Sequence, residues 1–135
     1  MLTAIYNSIA ITEEVSSDGE FPEGDVAYNG EVPIELTQAL HEIFVSSPDG
    51  FNEEGLLAGA LEEAGTAQTH SLAASEARSI GSMKSHSEHV INIIRGTNDD
   101  HDGNNSPQNP GRGVGVFFFI DKIDQLLLDV VQRDD

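Results

Sequence analysis

Apolar residues recur at helical spacing in four stretches of the chain. Ile34, Leu36, Leu40, Ile43 and Phe44 follow Pro33 and predict a helix over 34–46, stopped by Ser46-Ser47-Pro48-Asp49-Gly50. A second helix is predicted over 52–77, with Asn52 as N-cap and Glu53 and Glu54 in its positive first turn. Its inward residues are small: Ala58, Ala60, Ala64, Ala67, Ala73 and Ala74, with Gly59 and Gly65, favour close approach of a neighbouring helix over a thick leucine core. A third, over 79–95, presents Ile80, Met83, Val90, Ile91 and Ile94 as its core stripe, and Gly96 is its left-handed stop. The fourth, over 116–133, carries a wide apolar arc from Phe117 to Val131, with Asp121, Lys122, Asp124, Gln125 and Asp129 on the wet face.

The segments between these stretches complete the layout. In residues 1–12, Leu2, Ile5, Tyr6 and Ile9 stand at helical spacing, while Ile5, Ile9 and Ile11 also fit strand alternation; the helix is preferred. Thr12 to Gly30 is acidic and broken by Gly19, Pro22 and Gly24, which makes it a linker. Residues 97–115, rich in Asn, Asp, Gly and Pro, form a loop whose length calls for an internal staple or a function. The expected fold is all-α: a mostly antiparallel four-helix bundle over 31–135, a long Asp/Asn/Gly-rich loop before its last helix, and an N-terminal arm over 1–30 able to reach a neighbouring copy.

Charge narrows the partners. The chain carries 24 acidic and 6 basic residues, a net charge of −18, and fifteen carboxylates precede the first fixed positive charge at Arg78. Such a surface repels phosphate backbones and anionic lipid, so nucleic acid is an improbable partner and cations are natural ones. It equally suits solubility in high salt, which points towards an extracytoplasmic or saline setting. The absence of cysteine excludes thiolate ligands and disulfides. No apolar run reaches a membrane span, and Met1 to Tyr6 lacks the basic start of a secretory signal.

The candidate chemistry lies in two adjoining clusters. His86 and His89 project from one side of the third helix. If the second and third helices pair antiparallel about Ala77-Arg78, His70 lies about eight residues before the turn and His86 about eight after, so the two are level at ~1.5 Å per residue. His70, His86 and His89 could then offer three nitrogens to Zn, Cu, Fe or Mn, with Glu63, Glu88 or a water completing the shell, or with the carboxylates orienting the rings from behind. The alternative is a polar cluster bonded to carbonyls and carboxylates, and no nucleophile motif accompanies the histidines to suggest catalysis.

The loop follows at once. Asn98, Asp100, Asp102, Gly103, Asn104 and Asn109 fall at the first, third, fifth, sixth, seventh and twelfth positions of a calcium loop. The run resembles EF-hand and dockerin-type loops over about a dozen residues, but Asn98 and Asn109 stand where those families carry acids, which implies weak Ca²⁺ binding. The alternative is an Asx-rich turn held by its own side chains. Ala67 and His70, then His86, Glu88, His89, Asn92 and Gly96, then Asp100, Asp102, Gly103 and Asn109-Pro110-Gly111-Arg112-Gly113 also resemble an uncharacterised bacterial helical-bundle domain over residues 55–115. That resemblance implies that histidines and loop act as one unit and brings no activity with it. The expected function is metal binding rather than catalysis; the alternative is a non-enzymatic assembly or surface subunit docking through its arm as a homo-oligomer.

Overall fold

A computed structural model describes residues 8–14 and 24–133. Four helices, α1 (Ile34–Phe44), α2 (Leu56–Ser75), α3 (Ile80–Arg95) and α4 (Val116–Arg133), follow a small antiparallel hairpin of β1 (Ser8–Glu13) and β2 (Asp25–Glu31). The helical-bundle expectation holds, and the ends of α1, α3 and α4 fall within two residues of those predicted. No helix among the described residues is long and apolar enough to cross a membrane.

The N-terminal segment departs from the helix expected over residues 1–12. Ser8–Glu13 is a strand, with Ile11 opposite Tyr28 and Ser8 opposite Glu31. Alternating β-branched residues fit a pleated ribbon, and its partner strand takes up the end of the acidic 12–30 segment and Glu31. Every residue of β2 is exposed. Leu2, Ile5 and Tyr6 lie outside the described residues.

The second helix also starts differently. Asn52 adopts φ 54°, inside a 3₁₀ turn at Phe51–Glu53, so it caps nothing, and α2 begins only after Gly55. Asparagine tolerates the left-handed region better than most residues, which turns the chain before the helix proper. Of the small residues expected to face inward, Gly59, Ala60 and Ala67 are buried and Ala73 and Ala74 half-buried, whereas Ala58, Ala64 and Gly65 lie on the exposed side. A Cβ on Gly59 would stand 2.5 Å from the Phe119 ring, so only glycine lets α4 seat that fully buried phenylalanine against α2. Leu56, Ala60 and Phe119 form the core, with Val114, Phe118, Ile123 and Leu126 packed around them.

Ser79 caps α3 by accepting the Ser82 amide at 3.1 Å, and Gly96 ends it with φ 70°. The expected core stripe is rotated, however. Ile80 and Met83 are exposed, and the buried residues of α3 are Glu88, Asn92 and Ile93. Two polar side chains occupy the protected face because the 97–113 loop folds over it and supplies their partners. On α4, likewise, one side of the apolar arc closes the core while Phe117, Ile120, Leu127, Leu128 and Val131 remain exposed.

Candidate metal centre

α2 and α3 run back along each other about the short turn between them. Glu63 and Ile93 both border Gly111, and His70 meets His86 and His89. The three rings converge through the same atom. His70 Nδ1 lies 3.2 Å from His86 Nδ1 and 3.1 Å from His89 Nδ1, with the His70 and His89 rings edge to face. Together they form a group that could hold a metal ion.

A neutral imidazole nitrogen carries either one hydrogen or one lone pair, so His70 Nδ1 cannot make two regular hydrogen bonds in two directions. Tetrahedral coordination with Zn–N bonds of 2.0–2.1 Å places ligand nitrogens roughly 3.3–3.4 Å apart. The observed spacings lie a few tenths of an ångström inside that. Burial first, and the neighbouring His89 and His86 second, hold the His70 imidazole below its ordinary value, which keeps its lone pair available at neutral pH.

Glu63 and Glu88 do not complete this shell. The Glu88 carboxylate is buried and faces the loop: Oε2 accepts the His101 and Asp102 amides at 2.7 and 3.0 Å, and Oε1 accepts the Gln108 amide at 3.0 Å. Burial pushes its pKa up, but the Asp102, His101 and Gln108 amides together outweigh this and bring it below an ordinary glutamate. Glu63, two turns before His70, accepts the Arg112 amide on Oε1 at 2.7 Å, while its buried Oε2 has no hydrogen-bond partner among the described residues. That oxygen lies so close to Gly111 that a Cβ there would stand 2.4 Å from it. Arg112 pairs with Glu54 and Glu62 and stacks over Phe51, which pins the end of the loop to α2.

The loop itself is organised from α3. Asn92, fully buried, donates to Asp99 O and Gln108 O and accepts from Thr97 Oγ1 and the Asp99 amide. Asn109 closes the far side, donating to Asn92 O and Thr97 O and accepting the Gly111 amide. The Asn109 side chain is thus held by three hydrogen bonds within the loop and to α3. Asn98 is exposed, and Asn104 accepts the Ser106 amide at 2.6 Å. The second group that could hold a metal is therefore Glu88, Asp100 and Asp102. Asp100 accepts the Gly103, Asn104 and Asn105 amides, and Asp102 accepts the Asn104 amide and side chain. The Asn105 amide above all, against the upward push of burial and with help from Gly103 and Asn104, lowers the Asp100 pKa. No family model, curated protein or solved structure matches the chain.

Helix rise places His70 and His86 level, but nothing in the sequence points to Gln108, whose Oε1 lies 2.8 Å from His89 Nε2. A lone glutamine in a polar loop carries no spacing signal.

These shifts give a pH dependence of known sign. The unfolded chain protonates its histidines near pH 6.5, whereas His70 in the fold resists until a lower pH, so stability of the metal-free protein falls as pH drops below about 6.5. Glu88 and Asp100, with lowered values, stabilise the fold above their unfolded values and lose this as pH falls through the folded ones. Urea midpoints measured from pH 7.5 to 3 should decline in both windows. A midpoint constant between pH 7 and 5 would remove the neutral, crowded His70 from the account.

Proposed function

We propose that the protein binds a transition metal through His70, His86 and His89, with the 97–113 loop serving as the scaffold that holds the site. The observation that carries this reading is that His70 Nδ1 lies 3.1 and 3.2 Å from the Nδ1 atoms of His89 and His86, with ligand atoms of all three residues within 4.8 Å of one another. One cation accepts three lone pairs there, where one proton serves a single contact. Three neutral imidazoles suit Zn²⁺, Cu²⁺ or Fe²⁺ and leave a coordination position for water or a ligand.

The acidic group is read differently. Each carboxylate of Glu88, Asp100 and Asp102 already accepts N–H donors, so a cation there would compete with the bonds that shape the loop. We therefore take these carboxylates as the staple of an Asx-rich loop, and Ca²⁺ as a secondary ligand at most. The test is elemental analysis of protein purified without chelator. Close to one equivalent of zinc, copper or iron is expected, and none in His70→Ala. Wild-type protein that copurifies with no metal and takes up none when zinc is added would end the reading.

A further inference from the structure

The loop does more than cover α3, because one of its residues reaches back to the triad. His89 Nε2 lies 2.8 Å from Gln108 Oε1. An amide oxygen only accepts, so the proton of this contact sits on His89 Nε2, and a neutral imidazole then carries its lone pair on Nδ1. That is the atom facing His70.

Gln108 is itself held at both backbone groups. Its amide donates to Glu88 Oε1 at 3.0 Å and its carbonyl accepts Asn92 Nδ2 at 3.0 Å. The three contacts come from Glu88, His89 and Asn92, neighbouring positions on one helix. Among the described residues, His89 is the member of the triad whose second ring nitrogen is held by a protein group. The buried Glu88 and Asn92 thus have a consequence beyond loop stability: they place an acceptor where it decides which nitrogen of His89 is basic.

We propose that Gln108 is the positioning residue of the metal site: by accepting the hydrogen bond of His89 Nε2–H it fixes that ring's tautomer and orientation, and so selects Nδ1 as the metal-facing atom. The inference rests on the metal reading for its effect on affinity, while the tautomer is a property of the metal-free protein. Groups that hydrogen-bond a ligating histidine from behind orient it and raise its basicity, and their removal weakens metal binding by about 10–100-fold.

The experiment uses the full chain, ¹⁵N-labelled and metal-free at pH 7.5. Long-range ¹H–¹⁵N correlations should show His89 as the Nε2–H tautomer, and Gln108→Leu should mix the tautomers. Because Gln108 is anchored through its backbone, the leucine variant should retain the helical circular dichroism and loop amide shifts of the wild type. Zinc titration should then give about 10–100-fold weaker binding for Gln108→Leu, and Gln108→Glu, which keeps an acceptor oxygen, should restore it. Wild-type His89 in the Nδ1–H form overturns the proposal. So does a leucine variant with unchanged zinc affinity. If the wild type shows the Nε2–H tautomer and still binds no zinc, the metal reading fails and the tautomer assignment stands.

Discussion

Zinc added to the metal-free protein at ~100 times its dissociation constant should raise stability by about 2.7 kcal/mol, or roughly 10 °C in Tm for a domain of this size. The reasoning is linkage: the unfolded chain holds no preformed arrangement of His70, His86 and His89, so metal bound to the fold is bound at the expense of the unfolded state. His70→Ala should abolish the rise, since both short contacts of the triad run through His70 Nδ1. With a net charge of −18, any divalent cation gives some stabilisation by screening, so Mg²⁺ at equal concentration is the control. A zinc effect no larger than that of Mg²⁺, or one retained in full by His70→Ala, would place the cation on the acidic surface or at His41 and His101 rather than in the triad.

Asn92→Ala should cost about 3–5 kcal/mol, near the upper end of single-residue effects. Its side chain has no exposed surface and makes four hydrogen bonds of 2.8–3.1 Å: to the carbonyls of Asp99 and Gln108, and from Thr97 Oγ1 and the Asp99 amide. These exhaust its useful capacity, and truncation leaves two carbonyls, an amide and a hydroxyl around the buried Asn92 position without the partner that joined them. Asn92→Asp keeps the shape but turns an acceptor towards two carbonyls, so it should be no milder. Both variants should speed proteolysis between residues 98 and 107 and weaken zinc binding, because Gln108 loses the anchor on its carbonyl. An unchanged urea midpoint for Asn92→Ala would falsify the view that α3 holds the loop from beneath.

How much of this was legible beforehand divides by range. Pro33, Ser79 and Gly96 mark helix ends through local backbone chemistry, and the apolar periodicity of α1, α3 and α4 needs no distant partner, so those elements were read closely. The level placement of His70 and His86 followed from helix rise and a turn near residue 78. Asn52 failed as a cap because an Asn preceding a helix serves equally in a left-handed turn, and neighbouring residues do not say which. The strand at Ser8–Glu13 failed because its pairing partner begins twelve residues further on.

The loop shows the division most clearly. The alternating oxygens of Asp100, Asp102 and Asn104 are visible in the chain, and a Ca²⁺ ion and a set of backbone amides ask for the same oxygens. The folded backbone directs the amides of Gly103, Asn104 and Asn105 at Asp100, which no spacing along the chain foretells. In the same way Glu88 reads as a partner for the histidines beside it, yet it meets amides 13 to 20 residues away. The sequence by itself determined four helices, an antiparallel α2–α3 pair and the level placement of His70 and His86, since each depends on propensity, period or rise along the chain. Tertiary structure alone decided which face of α3 is buried, what the acidic side chains hold and which nitrogen of His89 faces inward, because these follow from where the loop backbone passes and no local pattern encodes its path.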